Sequence, residues 1–287
     1  MPSSSALSRL PGATFGEPFG VRVEAQAETD DLTHLPVPLL RDLVRDNHLL
    51  ILRGYEVSPD AAALAAWCRT WGEVMTWPFG DVLELREADD PTDHIFDSSS
   101  VPLHWDGMYK PLIPEFQFFH CITAPGLHDG GRTLFCDTVT LLAQARTELL
   151  ELWKQVTVTY KIRSVVHYGG QATSPLIVPH PRTGVPTLRF NQPPPDTEPD
   201  FLNRPSHEFA GIDDGRLPEL LASLDQALHD PRCFYAHAWR SGDMVIADNY
   251  ALLHGRERFT SRAPRHLRRV HLLGTPAFAN PAIASPH

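Results

Sequence analysis

Tyr235-Ala236-His237-Ala238-Trp239-Arg240-Ser241-Gly242-Asp243-Met244-Val245-Ile246-Ala247 is the most regular stretch of this sequence. Two short runs flank a Ser-Gly-Asp turn, which predicts a hairpin with strands over 235–240 and 244–247. A further strand is expected from about His266 to Leu273. Upstream, His48-Leu49-Leu50-Ile51-Leu52-Arg53 reads as a short buried strand closed by Gly54, and Val82–Leu85 and Glu115–His120 read as others. Ser58-Pro59-Asp60 opens a helix to about Trp71, with Ser58 as its cap and Pro59 at its first position. Thr140 to Gln155 is expected to be helical, with Leu141, Leu142, Ala145 and Leu149 near one face. Short strands at both ends of the chain and helices mainly in the first half predict an α+β, mainly β fold: a double-stranded β-helix (jelly-roll) core with flanking helices.

The 287 residues are expected to form a single domain, 1–287, with no internal repeat. Termini of about 1–13 and 276–287, rich in Pro, Ala and Ser without a period, are expected to be poorly ordered. A hydrophobic share of 42% and a charged share of 21% suit a globular core, and 27 prolines favour loops over long helices. Asn191 to Pro205, with Pro193-Pro194-Pro195, reads as a loop that helps cover a site. A net charge of −10 argues against a nucleic-acid partner while leaving room for a local cationic pocket. Cys68, Cys121, Cys136 and Cys233 form no C-x-x-C pair and read as free core thiols. With neither an apolar leader nor a stretch of spanning length, the expectation is a soluble cytoplasmic protein without membrane contact. Nothing in the pattern specifies an oligomeric state.

His104-Trp105-Asp106 carries the chemistry. Alternate residues of a strand project to one side, so His104 and Asp106 could bind one ion while Trp105 points away. Such a pair supplies two ligands of a 2-His-1-carboxylate site, which leaves three metal positions open. The triplet also arises often by chance, and 15 histidines offer many third ligands, so context must select one. His254 follows the 244–247 strand and the turn-prone Asp248-Asn249, which places it near a strand end in the regular C-terminal region. Arg265 stands eleven residues later, followed by Leu267 and Arg269.

In this order of elements the chain resembles the taurine dioxygenase family of iron(II)/2-oxoglutarate oxygenases: H-x-D, a distal His, then Arg-x-(Met/Leu)-x-Arg. The resemblance implies Fe(2+) held by His104, Asp106 and His254, with 2-oxoglutarate and O2 as co-substrates. It implies that Arg265 pairs with the distal carboxylate of 2-oxoglutarate, a task suited to a planar, permanently charged fork. Thr133, in Gly130-Gly131-Arg132-Thr133, would assist it. Alternation does not choose a face for the last strand, where Arg265, Leu267, Arg269 and His271 oppose His266, Arg268, Val270 and Leu272. The inward face is the one the resemblance implies, and Arg268 and Arg256 are read as solvated or structural.

A closer and almost chain-long resemblance is to the oxygenases of isonitrile pathways of the paerucumarin and rhabduscin type. It rests on Gly72-Glu73-Val74-Met75, Trp77-Pro78-Phe79-Gly80, His104-Trp105-Asp106-Gly107-Met108-Tyr109, Ile113-Pro114-Glu115-Phe116-Gln117, Tyr235-Ala236-His237 and the segment 262–271. It implies a small-molecule substrate, an aromatic isonitrile acid, tyrosine isonitrile before tryptophan isonitrile. Desaturation would occur at the side-chain CH2, with or without loss of CO2. Arg269 is the expected anchor of the substrate carboxylate. Tyr109, Trp77, Phe79 and Phe96 are candidate walls of the ring site; each would serve equally as core, and the expectation is that some of them line it. The same site could instead hydroxylate another small sulfonate or carboxylic acid. From a different class, a zinc hydrolase could use the same three ligands, and a non-catalytic binding module would need none of them.

Overall fold

A computed structural model describes residues 10–283 except 28, 89, 92, 166, 167, 199 and 200. The strand Leu49–Arg53, LLILR, is buried along almost all of its length. It lies parallel to Val21–Glu24 and antiparallel to Met244–Asp248 within a seven-stranded sheet. In order, that sheet runs Ala13–Phe15, Val21–Glu24, Leu49–Arg53, Met244–Asp248, Phe116–Thr123, His266–Leu272, Leu83–Arg86. A four-stranded sheet runs Phe234–His237, Thr133–Asp137, Leu252–Arg256, Val101–His104. The protein is thus mainly β.

The two sheets pack on each other through Leu49, Ile51, Phe119, Val245 and Leu267 from the larger and Phe135 and Leu252 from the smaller. Behind the larger sheet, Leu50, Leu52, Phe118, Ile246 and Val270 meet Leu40, Leu43 and Val44 of helix Val37–Asn47 and Leu64 and Trp67 of helix Ala61–Arg69. Behind the smaller one, Leu103, Cys136 and Leu253 meet Leu152 and Trp153 of helix Thr147–Lys154 and Leu220, Leu224 and Leu228 of helix Leu217–Leu228. Each such leucine contributes about 1.5–3 kcal/mol by leaving water. Strands covered on both faces read as continuous apolar runs, which is why 49–53 shows no alternation. All four cysteines are buried free thiols. Among the described residues no helix is long and apolar enough to cross a membrane.

The expected hairpin is not formed. Phe234–His237 pairs with Thr133–Asp137 in the small sheet, whereas Met244–Asp248 pairs with Leu49–Arg53 and Phe116–Thr123 in the large one. The Ser-Gly-Asp turn is real, with Asp243 N donating to Arg240 O at 3.0 Å, but it serves as a corner between sheets. The buried Asp243 carboxylate fixes that corner. It accepts from Arg240 N at 2.9 Å and from both Nε and Nη2 of Arg53, at 2.8 and 2.6 Å, and lies 3.2 Å from His237 Nε2.

Burial raises the Asp243 carboxyl, and the Arg53 and His237 hydrogen bonds outweigh it and bring it down to about 2. A carboxyl lowered on folding stabilises above its unfolded value of about 4 and loses that contribution as pH falls further. Replacing Asp243 with Ala should therefore cost about 3 kcal/mol at neutral pH, because Arg53 is left without its anion. Urea midpoints measured at pH 7 and pH 3 should show the variant's deficit shrinking in acid.

Three other expectations need correction. Asp60, not Ser58, caps helix Ala61–Arg69, accepting from the amides of Ala62 and Ala63. The helix expected over 140–155 is two, Thr138–Gln144 and Thr147–Lys154, separated by extended backbone at Ala145 and Arg146. Neither Gly nor Pro stands at the break to signal it. The C-terminal segment is pinned as far as it is described: Phe278–Ala279 pairs with Leu112–Ile113, and Asn280 Nδ2 contacts the carbonyls of Gly107, Met108 and Lys110 at 3.1, 2.8 and 2.9 Å. Residues 1–9 and 284–287, the rest of the termini expected to be loose, lie outside the described residues.

Candidate active site

His104 ends the strand Val101–His104, and Asp106 stands just beyond it in a turn, so the H-x-D spacing straddles a strand end rather than following strand alternation. Asn249 makes up for the missing ladder. Its side chain accepts from Asp106 N at 3.0 Å and donates to Asp106 O at 3.0 Å and Pro114 O at 3.0 Å. Trp105 does point away, into the core behind the small sheet, with the Arg189 guanidinium 3.9 Å from its ring.

His254, on strand Leu252–Arg256, sits directly opposite His104 in the register, and a bulge follows it. A Cβ on Gly255 would lie 2.5 Å from Val101 O, so only glycine lets these strands close at the bulge. The two imidazole rings lie with centroids 4.2 Å apart, tilted 44° to each other. One ligand atom from each of His104, Asp106 and His254 can be chosen so that all lie within 4.8 Å of one another. Asp106 Oδ1 is 3.6 Å from His104 Nε2, and Asp106 Oδ2 is 3.6 Å from His254 Nε2. His104 Nδ1 lies 2.8 Å from Pro102 O, a contact in which Nδ1 donates and which turns Nε2 toward Asp106. Burial, and then the nearby His104, hold His254 neutral. Burial would raise the Asp106 carboxyl, but Arg269, His254 and His271 keep it well below the usual carboxylate range. Two imidazoles and an ionised carboxylate are the donor set a divalent transition metal takes.

Arg265 and Thr133 meet across the two sheets. The Arg265 guanidinium is buried, its Nη2 donates to Thr133 Oγ1 at 3.2 Å, and its Nε has no partner. Among the described residues it has no carboxylate within ion-pair range. Trp239 Nε1 also donates to Thr133 Oγ1, at 3.0 Å. With both hydroxyl lone pairs engaged, the Thr133 proton is free to donate outward. A buried cation without an anion beside a free hydroxyl donor calls for a carboxylate from outside the chain. Gly131 admits the Phe259 ring, whose Cε1 would stand 2.3 Å from a Cβ there; the ring lies 5.8 Å from the Arg265 guanidinium. The Gly-Gly part of the motif is thus explained by close approach.

A cleft with about 800 Å³ of space, part of it open to solvent, lies beside His104 and Asp106. Trp77, Tyr109 and Arg269 line it, as do residues of the 191–205 loop. Phe79 and Phe96 are not among its lining residues: Phe79 stacks on Trp77 with ring centroids 5.8 Å apart, and the neighbours of Phe96, His94 and Ile95, form the wall instead. Lys110, Tyr168 and Phe201 also line the cavity, and the sequence reading missed them. Arg269 is not a free anchor, because its Nη1 pairs with Asp106 Oδ2 at 2.7 Å. Arg256 is structural, donating to the carbonyls of His94, Ile95, Asp97 and Ser99. Arg268 pairs with Glu84 on the outer side. Gln117 and His271 were also missed, and each touches Asp106. A lone polar residue in Phe116-Gln117-Phe118-Phe119, and a histidine in register with Arg265 and Arg269, were the available signals.

The chain is similar to known proteins. The chain is 48% identical over 263 residues to tyrosine isonitrile desaturase of Pseudomonas aeruginosa, spanning 92% of this chain and 90% of that one. It is 39% identical over 256 residues to 3-((Z)-2-isocyanoethenyl)-1H-indole synthase of Fischerella ambigua, covering 89% and 93%. The solved structure of PvcB, an Fe, alpha-ketoglutarate dependent oxygenase from an isonitrile synthetic pathway, superposes with a TM-score of 0.81 at 44% identity, covering 95% and 94% of the two chains. With residues 9–271 matching its model, the chain belongs to the taurine catabolism dioxygenase TauD, TfdA family.

Proposed function

We propose that this protein is an iron(II)- and 2-oxoglutarate-dependent oxygenase that desaturates an aromatic amino-acid isonitrile at its side-chain CH2, tyrosine isonitrile first and the tryptophan analogue second. The observation that carries the class is Arg265: a buried guanidinium that, among the described residues, has no anion partner, beside Thr133, whose hydroxyl proton has no acceptor among them. A hydrolase using the same three ligands would leave that pair without a task. The substrate class follows the two relatives named above, one acting on a tyrosine-derived and one producing an indole-bearing isocyanide. The two facing sheets are read as a double-stranded β-helix, and 1–287 as one oxygenase domain.

In this reading His104, Asp106 and His254 hold the metal, and Arg265 with Thr133 grips the distal carboxylate of 2-oxoglutarate. The bound iron, with 2-oxoglutarate and O2, supplies the oxidant that takes hydrogen from the substrate. The chain's own residues set where that hydrogen lies. Trp77, Tyr109 and Phe201 offer the aromatic wall, and the 191–205 loop limits water. One arm of Arg269 is committed to Asp106, so the substrate carboxylate is held by its cavity side together with Lys110, whose Nζ stands 5.1 Å from the Trp77 ring centre.

The test is succinate release under air with iron(II) and 2-oxoglutarate. Tyrosine isonitrile should stimulate it, and tyrosine, whose amine is unconverted, should not. Stimulation only by a sulfonate or an unrelated acid would overturn the substrate; turnover that does not need 2-oxoglutarate would overturn the class.

A further inference from the structure

We propose that Gln117, His271 and Arg269 form a three-donor cradle that holds Asp106 to one-oxygen coordination of the metal, keeping open a position that 2-oxoglutarate and O2 require. The inference rests on the metal reading above and concerns how the chain shapes that site.

The three donors converge on a single oxygen. Gln117 Nε2 lies 2.6 Å from Asp106 Oδ2, Arg269 Nη1 2.7 Å and His271 Nε2 2.8 Å. A carboxylate oxygen has two lone pairs, so three donors leave Oδ2 nothing to offer a cation. Oδ1 is different. Its nearest ring nitrogen, His104 Nε2, is 3.6 Å away, beyond hydrogen-bond range, so both its lone pairs remain for a metal.

The cradle is built by register. Gln117 and His271 are direct partners on the neighbouring strands Phe116–Thr123 and His266–Leu272, and Arg269 is two residues from His271 on the same face. Gln117 and His271 are each 1% exposed, so water does not compete for the carboxylate. Asn249 clamps both the N–H and the C=O of Asp106, which stops the carboxylate from re-aiming by a shift of its backbone. Gln117 Nε2 also lies 3.4 Å from His254 Nε2, so the same amide sits between two of the ligands.

The consequence is a matter of counting. Six positions surround an octahedral metal, and a carboxylate binding through both oxygens would make four protein contacts out of three residues. Two positions would remain, where a chelating 2-oxo acid and O2 together need three. Arg269 links the cradle to the substrate cavity, since it lines that cavity while holding Oδ2.

The test uses the full chain loaded with Mn(II) without O2, comparing wild type with the double variant Gln117→Met, His271→Phe, which keeps bulk and removes two donors. Two readouts are taken: the number of oxygen and nitrogen neighbours from X-ray absorption at the metal, and the dissociation constants of Mn(II) and of 2-oxoglutarate on the Mn(II) protein. The double variant should gain one oxygen neighbour and bind 2-oxoglutarate about 10–100-fold more weakly, with a smaller loss of Mn(II) affinity. His271→Gln, which keeps a donor, should stay close to wild type. Unchanged coordination and 2-oxoglutarate affinity in the double variant would overturn the cradle, as would an equal loss of Mn(II) itself or a His271→Gln protein as impaired as the double variant. If thermal unfolding shows that the double variant does not fold, Gln117→Met alone carries the same two readouts and must show the same direction. A wild-type protein that binds no Mn(II) would overturn the metal reading, and is distinct from every outcome that overturns only the cradle.

Discussion

Replacing Arg265 with leucine is expected to raise the 2-oxoglutarate concentration needed for half-maximal succinate release by about 10²–10³-fold, with no loss of thermal stability. The first half follows from removing a desolvated charge partner of a carboxylate, worth about 3–4 kcal/mol where each 1.4 kcal/mol is tenfold. The second half distinguishes a ligand site from a structural ion pair. Burial, and then the neighbouring Arg256 charge, push Arg265 down to about 9, so the protein bears the cost of a cation for which no described residue offers an anion. Leucine removes that cost. An unfolding temperature that fell by several degrees, with unchanged 2-oxoglutarate dependence, would make Arg265 a structural residue.

Asp106→Ala and His104→Ala should both reduce turnover at least about 10³-fold, yet differ in stability, since each removes one of three metal ligands but only one of them is a structural hub. Asp106 holds Arg269, His271 and Gln117, and without it a buried guanidinium and two buried donors lose their acceptor. A cost of about 3–5 kcal/mol follows. Among the described residues the His104 side chain makes one hydrogen bond, to Pro102 O, and its loss should cost little. Unfolding temperatures of the metal-free variants against wild type check the difference; equal values for the two would contradict the hub. His104→Ala retaining wild-type turnover would remove the metal from the account altogether.

How much of this was legible can be judged strand by strand. Arg265, Leu267, Arg269 and His271 share a face by period two, and the structure turns that face inward, with Leu267 in the core between the sheets. Hydrophobic alternation could not choose it because Val270 and Leu272, on the opposite face, are buried under the helices of the large sheet. The corner at 241–243 was legible as a turn and illegible as a corner: turn chemistry is local, whereas the partners of Phe234–His237 and Met244–Asp248 lie more than 90 residues away. The cavity wall was the least readable part. His94 comes from a single 3-10 turn and Tyr168 and Phe201 from loops without a period, and only assembly places them beside Trp77 and Tyr109. Composition likewise marked the C-terminal segment as loose, while a single side chain, Asn280, ties it to the turn after Asp106.

The central claim is tested most directly by mixing the protein without O2 with iron(II), 2-oxoglutarate and tyrosine isonitrile, admitting O2, and weighing the products. The account predicts succinate together with a product lighter than the substrate by two hydrogens, or by one hydrogen and the carboxyl group, without an added oxygen atom. Succinate formed while tyrosine isonitrile is recovered unchanged, or converted only to a hydroxylated acid, would contradict it.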